Sequence, residues 1–165
     1  MSANGNQAAD AVKDTIYRSC LLLDDGKWAD FLELCDEGFA YAIKAYSPEI
    51  RYDMTYFAGS RNDLKVMTEL LPRHNSDHSP LKRHASVYTV DVDDSGTSAT
   101  AVTSLLVYQN LLDGINSHID AGESRLFMVG KYIDKLRIDG GQARLVEREV
   151  RLDTRRLDKG THFII

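Results

Sequence analysis

The stretch Arg125–Asp153, RLFMVGKYIDKLRIDGGQARLVEREVRLD, decides the fold. Asp139, Gly140 and Gly141 interrupt two runs rich in β-branched and aromatic residues, and consecutive glycines supply the positive φ angles of a tight turn. Two antiparallel strands are therefore predicted. On the first arm Met128, Tyr132, Leu136 and Ile138 share a face with Gly130 and Asp134, while Phe127, Val129 and Ile133 share the other with Lys131, Lys135 and Arg137. Neither face is purely apolar, which predicts that parts of both are covered.

Upstream, Val12, Ile16, Cys20 and Leu23 recur at helical spacing, and Asp24-Asp25-Gly26 stops that helix. A shorter helix is predicted at Lys27–Cys35, with Trp28, Phe31, Leu32 and Cys35 on one face. Phe39–Tyr46 alternates as a strand, and Ile50–Tyr56 suits a further short extended piece. Ser60 with Asp63 three residues on resembles a capping box for a third helix, which Pro72 is expected to end. Arg73–Pro80 reads as a polar loop, Leu81–Val92 and Thr97–Leu111 as strands joined by the Asp93–Gly96 turn, and Leu112–Gly122 as a loop. Three helices in the first half followed by mostly antiparallel strands give an α+β fold whose helices cover one face of a curved sheet. Residues 1–7 are expected to be disordered and 8–165 to form a single domain.

With 165 residues, a net charge of −5 and a pI near 5.5, the chain has no concentrated basic element, which argues against a nucleic-acid partner. The densest charge lies near the end, where Arg144, Arg148, Arg151, Arg155, Arg156 and Lys159 alternate with Glu147, Glu149, Asp153 and Asp158. Such mixed signs suit a salt-bridged face, with a protein interface as the next reading. Cys20 and Cys35 fall in apolar helical patterns without a CxxC, as expected of buried thiols in a reducing cytoplasm. No apolar run approaches the roughly 18 residues of a membrane span.

Catalytic signals are sparse. His74 and His78 have ligand-like spacing, with Asp77 and His84 nearby, but Pro72 and Pro80 bracket them in a polar segment that reads as a loop. Asp24 and Asp25 form either an acid/base pair or a solvated turn. Tyr41, Tyr46, Tyr52 and Tyr56 interleave with Arg51 and Asp53, as in a polar pocket or an interface. There is no nucleophile elbow and no phosphate loop.

Several strings, in order, resemble the small (β) subunit of Rieske-type ring-hydroxylating oxygenases. They are Leu22–Leu34 (LLDDGKWADFLEL), Ser79–His84 (SPLKRH), Leu105–Tyr108 (LLVY), Phe127–Asp134 (FMVGKYID), Gly140-Gly141, Arg148-Glu149-Val150 with Leu152-Asp153, and the apolar Phe163-Ile164-Ile165. The resemblance spans Ile16 to Ile165. It implies the cone-shaped, mostly antiparallel mixed sheet of nuclear transport factor 2 and scytalone dehydratase, the NTF2-like or cystatin-like fold. Tyr56–His84 looks more like the small components of methanesulfonate monooxygenase-type hydroxylases than like naphthalene- or biphenyl-type subunits.

The resemblance implies a structural subunit that holds no metal and donates no catalytic side chain. Its expected partner is a large α subunit carrying a Rieske [2Fe-2S] cluster and mononuclear Fe(II), in an α3β3 ring served by a reductase and a ferredoxin. Expected contact residues are Phe127, Val129, Tyr132, Arg148, Val150, Phe163, Ile164 and Ile165, because a ring needs two different patches on each copy. The competing readings are a stand-alone cone-fold isomerase or dehydratase with a buried general base, for which Asp25, Tyr41 and His84 are the candidates, and a small-molecule binding module.

Overall fold

The computed structural model describes residues 3–74, 79–112, 117–157 and 164–165. Helices α1 (Ala3–Asp24) and α2 (Trp28–Glu33) lead into strands β1 (Cys35–Ser47) and β2 (Tyr52–Ser60). Helix α3 (Arg61–His74) precedes β3 (Leu81–Val92) and β4 (Ser98–Leu111). The short α4 (Ser117–Asp120) then precedes β5 (Glu123–Asp139) and β6 (Gln142–Leu152). The strands form one six-stranded sheet in the order β2-β1-β6-β5-β4-β3, antiparallel throughout except for the β1–β6 pair.

The predicted hairpin is β5–β6: Asp139 pairs with Gln142 across Gly140 (φ 55°) and Gly141 (φ 78°), conformations that cost glycine little. Its faces are cleaner than the sequence pattern implies. From Met128 to Ile138 every second residue of β5 is buried, Gly130 and Asp134 included, while Ile133, Lys135 and Arg137 are exposed. The outer face is covered only in part, with Phe127, Val129 and Lys131 half-buried, so the expectation that parts of both faces are covered holds over the first half of β5 and not beyond it. Asp134 belongs to the apolar face because its charge is matched inside the protein. Gly130 belongs there because a Cβ would collide with the carbonyl oxygen of Arg151 on β6. Gly130→Ala is expected to cost about 1–3 kcal/mol through strand displacement, read as a lower urea midpoint; an unchanged midpoint would contradict that close approach.

The inner face collects its residues in rows set by register. One row runs Val87, Thr103, Tyr132, Val150, Ile43, and the next runs Ala101, Asp134, Arg148, Tyr41. Helix α1 lies against β3 and β6, placing Val12, Ile16 and Cys20 in the same core, and α3 packs on β1 and β2. Phe31 of α2 meets Phe39 of β1 edge to face at 6.4 Å between ring centres.

Four local expectations are corrected. Cys35 opens β1 instead of ending α2, since α2 stops at Glu33. Pro72 lies inside α3, which runs on to His74. A short helix, α4, interrupts the predicted loop before β5. α1 begins at Ala3, so the expected disorder does not hold over residues 3–7, where a polar extension rides on an already nucleated helix. The capping box stands as read: Ser60 donates from its backbone N–H (2.8 Å) and Oγ (2.7 Å) to Asp63, whose N–H reaches back to Ser60 Oγ. Asp93 organises the β3–β4 turn by accepting from Ser95 Oγ, Thr97 N–H and Ser98 N–H, which hold its carboxyl at about 2. A carboxylate depressed in the fold stabilises above its unfolded value and loses that stabilisation as pH falls. Titration of Asp93 followed by carboxyl NMR is expected to show a midpoint near 2; an ordinary carboxylate midpoint would contradict the turn geometry.

Candidate functional site

The polar residues on the inner face form two ion pairs. Arg148 donates from Nε and Nη2 to the two oxygens of Asp134, both at 2.8 Å, and both side chains are fully buried. Its Nη1 donates to Ser19 Oγ on α1 (3.0 Å), and its guanidinium carbon stacks 3.9 Å over the Tyr132 ring. Burial alone would lower the Arg148 pKa, but Asp134 outweighs it and the guanidinium stays charged. In the second pair Arg83 on β3 donates from Nη1 to Asp24 at the end of α1 (2.7 Å), and Asp24 also accepts the Arg83 backbone N–H.

The interior between these pairs is occupied by Ile164 and Ile165. Arg83 Nη2 donates to the Ile164 carbonyl (2.6 Å), and the Ile165 N–H donates to Tyr41 Oη (2.9 Å). Both isoleucines are buried, and burial pushes the Tyr41 phenol up to about 12. A phenol so hard to ionise is no general base near neutrality. Beside the occupied interior a cleft of about 380 Å³ opens between the end of α1, α2, α3 and the start of β3, lined by Leu23, Asp24, Trp28, Leu71, Leu81 and Arg83 among others.

The expected subunit-contact residues divide on burial. Tyr132, Arg148, Val150, Ile164 and Ile165 lie inside the chain's own core, where the two isoleucines fill the cone. Phe127 and Val129 are half-buried on the outer face, and Phe163 lies outside the described residues.

The three candidates for a general base do not meet. Tyr41 is inside, Asp25 sits at the rim near Lys27 and Lys82, and His84 is exposed on β3 with its ring 5.6 Å from Tyr108. Asp77 and His78 lie outside the described residues, as does the side chain of His74. Among the described residues no three His, Cys, Asp or Glu converge as a metal site. Cys20 and Cys35 are buried, with Cys35 pushed up to about 12 by desolvation, so the Cys/His donor set of a Rieske cluster does not fit this chain. No helix among the described residues is long and apolar enough to cross a membrane.

Of the charged run near the end, Arg151 bridges Asp53 and Glu149, and Arg155 holds Glu49, as a salt-bridged face requires. Sequence reasoning placed Arg148 in that run and missed the roles of Asp24, Arg83 and Asp134. The available signal was a lone carboxylate, Asp134, in phase with an apolar strand face.

A helix laid into one strongly curved mixed sheet, with its polar groups gathered inside, is the NTF2-like or cystatin-like α+β cone. Residues 7–149 match the SnoaL-like domain family. The chain is 60% identical to the β subunit of methanesulfonate monooxygenase hydroxylase from Methylosulfonomonas methylovora, covering 99% of this chain and 90% of that one. It is 27% identical to the β subunit of 2-aminobenzenesulfonate 2,3-dioxygenase from an Alcaligenes species, over 94% and 97% of the two chains. In fold it is similar to a Novosphingobium aromaticivorans protein assigned as an aromatic-ring-hydroxylating dioxygenase β subunit (TM-score 0.70, 23% identity, 90% of this chain and 91% of that). It is also similar to one from the same organism assigned as a scytalone dehydratase (TM-score 0.67, 17% identity, 99% and 97%). The chain belongs to the SnoaL-like domain family and to the small β subunits of Rieske-type ring-hydroxylating oxygenases, closely related to that of methanesulfonate monooxygenase.

Proposed function

We propose that this chain is the non-catalytic, structural β subunit of a Rieske oxygenase hydroxylase, acting in the cytoplasm. It holds a large α subunit that carries the [2Fe-2S] cluster and mononuclear iron, in an α3β3 ring. Electrons come from NADH through a reductase and ferredoxin, and O2 is the oxidant. The substrate is an alkylsulfonate of the methanesulfonate type, a reading supported by the 60% identity along nearly the whole chain. The observation that carries the non-catalytic reading is the occupied cone: Ile164 and Ile165 fill the place where a substrate would sit, and the nearby charges are consumed in pairs. For the subunit contact we favour the outer sheet face, where Leu106 pairs with Val129 and lies near Phe127 and the partly exposed Ile133.

Co-expression with a large subunit of the methanesulfonate monooxygenase type tests this. The expected result is a complex of equal subunit numbers that hydroxylates methanesulfonate when supplied with the reductase, ferredoxin, NADH and O2, with all the iron in the large subunit. A chain that remains alone and turns over a substrate by itself would overturn the proposal.

A further inference from the structure

Charge is unevenly spread over the sheet. From residue 84 to residue 124 the sequence has no Lys or Arg. The β3–β4 turn lies in that run, with Asp91, Asp93 and Asp94 all exposed. The cations opposite this end of β4 are spent elsewhere: Lys135, across from Thr100, pairs with Glu147, and Arg137, across from Ser98, pairs with Asp36. Asp93 is used inside the turn, which leaves Asp91 and Asp94 without an ion pair among the described residues. Tyr88, set off by the bulge between Val87 and Thr89, adds an exposed ring on the same strand.

The β1–β2 turn has the reverse character. Strand order and direction put the two turns at diagonally opposite corners of the sheet. At the β1–β2 corner Lys44, Tyr46, Arg51, Tyr52, Asp53 and Arg151 line most of a shallow recess of about 560 Å³. Lys44 and Arg151 share Glu149, and Arg151 also holds Asp53. Arg51 is the surplus cation, with no ion pair among the described residues. It stands at φ 53°, where glycine or asparagine is the cheaper residue, so the turn itself does not call for an arginine. Around it Tyr46 is 49% exposed, Ile50 64% and Tyr52 71%. Exposed tyrosines beside an unpaired arginine are the composition of an interface centre and not of a solvated turn.

We propose that the β1–β2 corner of one copy docks on the β3–β4 corner of the next, with Arg51 meeting Asp91 and Asp94 while Tyr46, Ile50 and Tyr52 pack beside Tyr88. The partner is a second copy because this chain itself carries the complement: a corner with an unpaired cation and a corner with unpaired carboxylates and no basic residue. The two surfaces are unlike, so the contact is heterologous, and repeated with a closing rotation it makes a ring. It rests on the subunit reading for the number of copies in that ring, and it leaves the outer sheet face to the large subunit.

Sedimentation of the full chain by itself measures the contact. The parent is expected to self-associate, less tightly as salt rises. Arg51→Glu, and separately Asp91→Lys with Asp94→Lys, should each raise the dissociation constant about tenfold or more, because like charges then face one another. The three substitutions combined reverse both sides and should restore most of the affinity. All three residues are exposed and the Asp93 turn is untouched, so urea midpoints should match the parent. A parent that is monomeric at every concentration, a reversal without effect, or a combined variant no better than its components overturns the proposal. If Arg51→Glu leaves self-association intact and instead releases the large subunit from the co-expressed complex, the corner belongs to that partner and the proposal also fails. A parent that self-associates as expected yet captures no large subunit would sink the subunit reading and leave this contact standing.

Discussion

Asp134→Ala is expected to remove about 3–5 kcal/mol of folding stability, the cost of leaving a buried charge without its partner. Arg148 would keep one hydrogen bond, to Ser19, and its stacking on Tyr132, while Nε and Nη2 lose their acceptors at a site with no access to water. Set against a total of about 5–15 kcal/mol for an ordinary domain, that loss leaves little margin. The double variant Asp134→Leu with Arg148→Met removes both charges and is expected to recover most of the loss, because apolar replacements of similar volume dispense with desolvation altogether. Urea midpoints of the two variants and the parent decide this; a single variant as stable as the parent would show that the pair contributes nothing.

Arg83→Met is expected to cost about 3 kcal/mol. One guanidinium holds three parts of the chain together: the end of α1 through Asp24, strand β3 on which it sits, and the Ile164 carbonyl. Methionine fills much of the volume but pairs with neither oxygen, so both Asp24 and Ile164 lose an acceptor's partner. Arg83→Lys should restore only part of the stability, since one ammonium lacks the planar fork that reaches both acceptors. Thermal unfolding of the three proteins measures the series; a lysine variant equal to the parent would show that the fork geometry is unimportant.

The legible part of the fold was the part governed by local chemistry. Gly140-Gly141 announced the hairpin, Ser60 and Asp63 announced the cap of α3, and the period of Val12, Ile16 and Cys20 announced α1, because each signal acts within a few residues. The site was legible only as an anomaly. Asp134 in an apolar phase and Arg148 in a charged run are 14 positions apart, and only strand register brings them face to face. The same limit explains Ile164 and Ile165: an apolar chain end can cover a neighbour or fill an interior, and hydrophobicity does not say which. Asp24 and Asp25 are identical in type and adjacent, yet one is paired with the buried Arg83 and the other faces water near lysines, a difference set by the direction in which α1 ends.

The parallel contact of β1 with β6, in which Ala42 meets Glu149 and Ile43 meets Val150, constrains the chain in time as well as space. Strand β1 emerges from the ribosome early and at first has only β2 beside it, its other edge open. More than half of the chain must be synthesised before β6 arrives to close that edge. Long-range pairing of this kind is slow, and unpaired edges are prone to join other chains. Completion of the sheet is therefore expected to follow synthesis, with the β1 edge as the interval's point of vulnerability and the natural place for a chaperone to act.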